Sequence, residues 1–104
     1  MGMKTFNKLI RDKIPEIIES KGGKAEIRAL SDEEYPIYLE AKLDEEVGEY
    51  HRDRNTEELA DILEVAFALA AAHGCSREEL LELCRGKRDA RGGFEKRIFL
   101  ISKE

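Results

Sequence analysis

Residues 57–73 read EELADILEVAFALAAAH, and this stretch decides the fold. From Val65 to Ala72 it contains no polar residue, so a helix built from it is apolar around most of its circumference. Such a helix belongs at the centre of a small protein, with other helices packed around it. The sequence therefore predicts a mainly α-helical bundle organised around residues 57–73.

Start and stop signals mark the other helices. A capping side chain stands three residues before a glutamate at Ser31, Asn55 and Ser76, which is the pattern of a capping box at a helix N-terminus. Glycines follow the expected helix ends, and a short earlier helix tolerates Pro15 in its first turn. The predicted helices cover residues 14–20, 32–52, 57–73 and 77–89.

Two segments are predicted as strands instead of helices. Residues near 25–30 alternate between apolar and polar side chains. Residues 94–101 end in four consecutive apolar residues, Ile98 to Ile101, which suit a strand better than a helix. We therefore expect a small β element from these two segments beside the helices, within a single domain that spans residues 1–104.

Charge and composition exclude several classes of protein. The formal net charge is −5, and a generic nucleic-acid-binding protein would carry a basic excess instead. The acidity is concentrated in residues 29–64, which carry −10 between flanks of +3 and +2. No apolar run approaches the length of a membrane span. Two cysteines without metal-ligand spacing indicate ordinary thiols and a cytoplasmic location.

Acidic residues fall on or beside apolar faces of two consecutive predicted helices. Glu46 lies within the apolar stripe of the second helix, and Glu49 borders that stripe one turn later. Glu58 and Asp61 are three residues apart on the third helix and share a face. Because the connection between the two helices is short, antiparallel packing would bring all four carboxylates together.

Four carboxylates in one cleft require compensation by positive charge. Hard cations with oxygen ligands, Mg²⁺ or Mn²⁺, are the natural solution. Glu45 flanks the four and would orient a ligand or activate a water molecule. Each acid taken alone is explained as a first-turn or surface residue. The paired pattern E-E-x-x-E followed by E-x-x-D favours a metal site.

The same residues resemble a known family. EEVGE at 45–49 followed by ELAD at 58–61 is similar to the signature of the MazG-like, all-α NTP pyrophosphohydrolase superfamily. NKLIRDKIPEII at 7–18 resembles the opening of its phosphoribosyl-ATP pyrophosphohydrolase-like subgroup. RGGFEKRI at 91–98 resembles the ending of that subgroup. Together the three segments extend over nearly the whole chain.

The resemblance implies hydrolysis between the α- and β-phosphates of a nucleotide, giving a monophosphate and pyrophosphate. It also implies a homodimer or homotetramer whose substrate pockets are built partly by a neighbouring subunit. Only eight residues separate Glu49 from Glu58, fewer than in some relatives, which leaves the base selectivity open. In the implied site, Glu45 activates water, and Mg²⁺ is held by Glu46, Glu49, Glu58 and Asp61, with Mn²⁺ as a substitute.

A phosphate-bearing substrate also needs positive charge. The basic flanks supply candidates on both sides of the acidic middle: Arg11, Lys13, Arg91 and Arg97. These residues would bind the outer phosphates if the terminal segments pack over the acidic helices. The simpler interpretation of each is a solvated surface cation.

Several functions are compatible with these patterns. The first is a nucleoside triphosphate pyrophosphohydrolase, for which the removal of damaged nucleotides is one possible role. Hydrolysis of phosphoribosyl-ATP is the second, and a nucleotide-binding or regulatory module without turnover is the third. A helical dimerisation module whose acids bind no cation is the simplest. The preferred base and sugar stay open at this point.

Overall fold

The chain is mainly α-helical, as its sequence predicts. A computed structural model describes residues 3–104. The observed helices begin and end within two residues of the predicted ones. They are α1 (Ile14–Ser20), α2 (Glu34–Asp53), α3 (Thr56–Ala72) and α4 (Arg77–Arg91).

The predicted β element from residues 25–30 and 94–101 is not found in the part of the chain that the structure describes. No backbone hydrogen bond joins the two segments there, and the Ile98 residue is 84% exposed. A strand is stable only when a neighbouring strand accepts and donates its backbone hydrogen bonds. The local strand preference of these segments therefore has no partner within one copy of the chain.

Side-chain hydrogen bonds mark the starts of α2, α3 and α4. The Glu34 N–H donates to Ser31 Oγ at 3.1 Å, and the Ser31 N–H donates to the Glu34 carboxylate at 3.0 Å. Ser76 and Glu79 form the same reciprocal pair at the start of α4. Residues 32–33 form a turn between Ser31 and Glu34, and α2 therefore begins two residues later than predicted.

A two-residue connection, Arg54 and Asn55, joins α2 to α3. Arg54 adopts the left-handed backbone conformation, with φ 55°, and its N–H donates to the Tyr50 carbonyl at 2.7 Å. Asn55 then caps α3 by accepting the Glu58 N–H at 3.1 Å. The two helices pack against each other as an antiparallel hairpin. The buried apolar residues of the described chain are Leu39, Val65, Phe67 and Ala70.

The fourth helix packs on α3 and leaves the hairpin. The chain bends through 108° between α3 and α4, and in residues 3–104 the packed helix pairs are α2 with α3 and α3 with α4. The Arg77 guanidinium lies 4.2 Å from the centre of the Phe67 ring, a cation–π contact at this joint. The molecule is consequently elongated, measuring 61 × 31 × 26 Å.

The apolar helix α3 is the core helix of the hairpin. It contributes three of the buried apolar residues, Val65, Phe67 and Ala70. Within residues 3–104, no helix taken singly has the length and apolar character to cross a membrane. Among the described residues, the bent pair of α3 and α4, taken together, meets that length and composition requirement.

Candidate metal centre

Four carboxylates meet at the turn end of the α2–α3 hairpin. Glu46 and Glu49 lie one turn apart near the end of α2, and Glu58 and Asp61 lie one turn apart at the start of α3. Because the helices are antiparallel and joined by two residues, these two ends are adjacent. One carboxylate oxygen from each residue lies within 4.8 Å of the others. These four residues, here called the acid cluster, are thus brought together as their spacing predicts.

Two oxygens of the acid cluster are buried without a hydrogen-bond donor. They are Glu46 Oε2 and Glu58 Oε2, and the Glu46 residue is only 6% exposed. A buried polar atom left without a partner costs about 1–3 kcal/mol, and more when it is charged. A cation that binds oxygen would satisfy both atoms at once.

The pKa values of Glu46 and Glu58 are raised above the ordinary carboxyl range. Burial is the largest cause at Glu46, followed by the hydrogen bond with Glu49 and the charge of Glu49. Desolvation is also the largest cause at Glu58, with the charge of Glu49 next. These two crowded carboxyl groups hold protons more tightly than isolated ones do. A bound divalent cation would favour their ionised forms.

Glu58 departs from the reciprocal capping pattern of the other helices. The Glu58 N–H donates to Asn55 Oδ1, but the Glu58 carboxylate does not accept the Asn55 N–H in return. Glu34 and Glu79, at the equivalent positions of the other two caps, do accept the N–H of their capping serines. The sequence allowed Glu58 to be a capping partner or a member of the acid cluster. The structure places its side chain in the acid cluster.

Glu45, beside the acid cluster, is held by two lysines. Lys42 Nζ lies 2.7 Å from Glu45 Oε2 and 3.4 Å from Glu46 Oε1, and Lys8 Nζ lies 3.4 Å from Glu45 Oε1. Desolvation by itself would raise the pKa of Glu45, but the hydrogen bond and charge of Lys42, followed by those of Lys8, lower it overall. Glu45 is therefore an ionised and fixed carboxylate. Its lower basicity favours orienting a ligand over accepting a proton.

Lys42 is not among the residues that the sequence pattern singled out. Its side chain is only 15% exposed, and it contacts both Glu45 and Glu46. The signal lay in the spacing, because a lysine three and four residues before two glutamates shares their helix face. Lys8 has no such local signal, since its contact with Glu45 depends on the path of the N-terminal segment.

Arg11 is the predicted phosphate-binding residue that reaches the acid cluster in the described chain. Its Nη2 donates to Asp61 Oδ1 at 2.6 Å, and both side chains are partly exposed. The N-terminal segment also encloses a cavity of about 100 Å³ against α2. Ligand pockets for small molecules usually measure about 300–1,000 Å³, so this cavity does not hold a nucleotide. It is lined by Asn7, Lys8, Leu9, Tyr38, Ala41, Lys42 and Glu45.

The other predicted phosphate-binding residues form no ion pair with the acid cluster. Lys13 immediately precedes α1, Arg91 ends α4, and Arg97 lies beyond that helix. In residues 3–104, α4 is not packed on α2, and none of the three forms an ion pair with the acid cluster. One copy of the chain therefore presents the acid cluster with Arg11, while the basic C-terminal residues stand apart.

The acid cluster fits a hard divalent cation. Carboxylate oxygens are the ligands that Mg²⁺ and Mn²⁺ prefer. Opposite oxygens around Mg²⁺ are about 4.2 Å apart, close to the 4.8 Å within which the four oxygens lie. The buried oxygens of Glu46 and Glu58 that lack donors are part of this set. The residues present are thus chemically suited to such an ion.

Comparison with known proteins gives a partial match. The chain is 58% identical over 41 residues to an uncharacterized protein from Mycolicibacterium smegmatis. The match covers 39% of this chain and 42% of that protein, so the chain spans less than half the length of the relative it matches. No protein-family model and no solved structure matches the chain. The function is therefore inferred from the acid cluster and its surroundings.

Proposed function

We propose that the protein is a Mg²⁺-dependent nucleoside triphosphate pyrophosphohydrolase that cleaves the bond between the α- and β-phosphates. The products are a nucleoside monophosphate and pyrophosphate. The observation that carries this proposal is the acid cluster, in which two buried carboxylate oxygens have no donor. The resemblance of residues 7–18, 45–61 and 91–98 to MazG-like proteins supports the same reaction. Removal of damaged or non-standard nucleotides is one setting for it.

The ligand set is the first part of the proposed mechanism. A bound divalent cation supplies charge neutralisation at phosphate oxygens and lowers the pKa of a coordinated water. Mn²⁺ would serve in place of Mg²⁺ because it also prefers oxygen ligands. The residues that would hold the ion are Glu46, Glu49, Glu58 and Asp61.

The neighbouring charged residues have separate roles in this proposal. Lys42 and Lys8 hold Glu45 beside the acid cluster, where its carboxylate would orient the attacking water. Arg11 neutralises Asp61 in the metal-free chain. When Asp61 binds a cation instead, the Arg11 guanidinium becomes free to bind phosphate oxygens.

A second copy of the chain belongs to the proposal as well. Lys13, Arg91 and Arg97 form no ion pair with the acid cluster of their own copy, so they would bind phosphate at a neighbouring subunit or after rearrangement. We therefore propose a homodimer or homotetramer. The cytoplasm is the proposed compartment, because nucleotides are abundant there and both cysteines are free thiols.

The direct test is pyrophosphate release from a panel of standard and damaged nucleoside triphosphates with Mg²⁺ or Mn²⁺. We expect cation-dependent release that Glu46→Gln and Asp61→Asn each abolish. The loss should exceed the roughly 10–100-fold effect of changing an outer partner of a metal ligand. Glu40→Gln is the matched control, since Glu40 is exposed on the same helix as Glu46. Circular dichroism would show that each variant keeps its helices.

Two outcomes separate the neighbouring reactions. An intact panel in the presence of either cation would contradict the proposed activity. Turnover of phosphoribosyl-ATP in preference to every triphosphate, together with complementation of a histidine auxotroph, would assign the biosynthetic reaction instead.

A nucleotide-binding module without turnover is a second candidate, and one observation favours it. The pKa of Glu45 is lowered by Lys42 and Lys8, although desolvation opposes this, and a carboxylate of low basicity is a poor proton acceptor. Calorimetry with Mg²⁺ and a slowly hydrolysed nucleotide analogue measures binding separately from turnover. Binding of the analogue, with no product from any natural nucleotide, would favour this module over the enzyme.

A further inference from the structure

The C-terminal arm, defined here as residues 94–101, is the most exposed apolar segment of the described chain. Phe94 is 97% exposed and Phe99 86% exposed. Single exposed apolar residues are common on protein surfaces, whereas contiguous ones mark an interaction site. The consecutive exposed residues of the arm are Ile98, Phe99, Leu100 and Ile101.

The exposed surface of the whole chain is too large for an independent compact monomer. A folded monomer of 11.9 kDa exposes about 6,000 Å² by the size scaling of monomeric proteins. This chain exposes 9494 Å², an excess of about 3,500 Å² over that scaling. Its radius of gyration is 18.1 Å, against about 13 Å for a compact domain of this length. The chain therefore has substantial surface to bury against another molecule.

The base of the arm is held by contacts near the end of α4, and its apolar residues stay exposed. Gly92, with φ +84°, ends α4 in a backbone conformation that favours glycine. Arg88 in α4 is ion-paired with Glu95, and the Arg97 N–H donates to the Phe94 carbonyl at 3.0 Å. Beyond this short turn the backbone of residues 98–101 forms no strand.

We propose that the C-terminal arm packs against a second copy of the same chain, each copy receiving the arm of the other. The excess surface is the first reason. A standard interface buries about 800 Å² per partner, and permanent homodimers bury about 1,000–2,500 Å² per chain, so the excess is sufficient for a permanent dimer. A foreign partner would leave the chain incomplete whenever it is made alone, whereas a second copy is always present.

The backbone of the arm gives a second reason. Its sequence favours a strand, and no strand partner exists within the described copy. In a twofold dimer the two arms are related by symmetry, so the arm of each copy supplies a strand partner for the arm of the other. The exchange also covers an apolar strand edge that would otherwise promote aggregation. This proposal is independent of nucleotide hydrolysis.

The first test is the mass of the full chain in solution, measured by light scattering after gel filtration and by sedimentation over a range of concentrations. We expect at least twice 11.9 kDa for the native chain. The double substitution Phe99→Asp with Leu100→Asp should raise the dissociation constant by more than about 100-fold, since each buried apolar side chain is lost twice in a symmetric dimer. Ser102→Asp, a polar change at the next exposed position, should leave the assembly unchanged.

A second measurement avoids variants that fail to fold. A spin label is attached at Ser102→Cys in a chain that also carries Cys75→Ser and Cys84→Ser. The spin-labelled chain, prepared without ¹⁵N, is mixed with a ¹⁵N-labelled native chain. Broadening of resonances in the ¹⁵N-labelled copy supports arm exchange. A monomeric native chain, an assembly unaffected by the double substitution, or a dimer without intermolecular broadening overturns the proposal.

Discussion

Glu46 is the residue at which packing and charge oppose each other most strongly. It is buried in the hairpin beside Glu49, with one carboxylate oxygen that has no donor. Lys42 compensates for part of this charge from 3.4 Å away. Buried carboxylates with raised pKa values are unfavourable for folding and are enriched at functional sites. The buried charge of Glu46 therefore lowers the stability of the metal-free chain, and the proposed cation would offset this cost.

The first prediction concerns pH. The metal-free protein should become more stable as the pH falls from neutrality towards 4.5, the ordinary carboxyl pKa. In that window Glu46 and Glu58, whose pKa values are raised, bind protons in the folded state that the unfolded chain has already released. The free energy of unfolding therefore decreases as the pH rises through the window. Urea unfolding in the presence of a chelator measures this dependence.

The pH prediction has an internal control. Glu46→Gln should flatten the dependence, because the substituted side chain does not titrate. Saturating Mg²⁺ should stabilise the native chain most at neutral pH, where the carboxylates are ionised. A metal-free native chain whose stability is constant across the window would contradict the assignment of unfavourable buried charge to the acid cluster.

The second prediction concerns Arg11 as a competitor of the metal ion. Its pair with Asp61 is partly exposed, and such pairs contribute about 0.2–1 kcal/mol. Arg11→Gln should therefore tighten Mn²⁺ binding up to about fivefold in the absence of nucleotide, as measured by calorimetry. Lys13→Gln is the matched control, since Lys13 forms no ion pair with the acid cluster. Weaker Mn²⁺ binding by Arg11→Gln would show that Arg11 supports the site instead of competing for it.

At the scale of single residues, the sequence predicts the side-chain contacts that depend on spacing along a helix. The acid cluster could be anticipated because helical periodicity and a short connection together determine where its four side chains lie. Lys42 was accessible to the same reasoning through its spacing from Glu45 and Glu46. The contacts of Lys8 and Arg11 were not, because they depend on how a segment without regular structure crosses the hairpin.

At the scale of elements, three helix starts share a sequence pattern but differ in structure. Reciprocal hydrogen bonds close the turn before α2 and the cap of α4. The cap of α3 makes only the bond from the Glu58 N–H to Asn55. The missing reciprocal bond frees the Glu58 carboxylate for the acid cluster. The Glu58 carboxylate therefore lies in the acid cluster, whereas the carboxylates of Glu34 and Glu79 stabilise the starts of their helices.

The third prediction compares these starts. Ser76→Ala should lower the free energy of unfolding by about 1 kcal/mol, because it removes the side-chain cap of α4. Glu79→Gln should have a smaller effect, since the amide oxygen can still accept the Ser76 N–H. Glu58→Gln should leave the metal-free chain as stable as the native one, or make it more stable, because it removes a buried charge without opening a cap. Chemical denaturation at one protein concentration measures all three.

The opposite ranking would contradict this interpretation. If Glu58→Gln destabilised the metal-free chain more than Ser76→Ala did, the Glu58 carboxylate would have to act in the helix start. Metal binding by the Glu58→Gln variant, measured in the same samples, separates a loss of fold from a loss of ligand.

The elements also show the limit of prediction from sequence. The helices were predicted well because their signals, the caps and the apolar period, are local. The β element from residues 25–30 and 94–101 was not found, because pairing requires a second strand that local preference does not specify. Side-chain alternation identifies a segment that can form a strand, but it does not supply the partner.

At the scale of the whole molecule, shape and charge distribution both indicate an incomplete unit. The acidic residues 29–64 lie mainly in the hairpin, and the basic residues that follow lie on α4 and the C-terminal arm. The 108° bend separates these regions within one copy. A symmetric pair would present the arm of each copy to the other. Opposite charges on the two regions favour such an arrangement.

The fourth prediction follows from this shape and depends on the arm exchange proposed above. The melting temperature should rise with protein concentration, because the folded chain gains binding free energy that the unfolded chain does not. Scanning calorimetry over a hundredfold range of concentration measures the effect. The Phe99→Asp with Leu100→Asp chain should melt at a lower temperature that does not change with concentration. A native chain whose melting temperature is constant would contradict the prediction.

The two-residue connection between α2 and α3 has a further consequence. With only Arg54 and Asn55 between the helices, one inserted residue would rotate the start of α3 by about 100° relative to its packed face. The chain could keep the apolar face of α3 packed by unwinding the first turn of the helix. Alternatively, it could keep that turn, and Glu58 and Asp61 would then point away from Glu46 and Glu49. The length of the connection thus determines how Glu58 and Asp61 are rotated about the axis of α3 relative to Glu46 and Glu49. Changes in its length should alter ion selectivity before they abolish the hairpin.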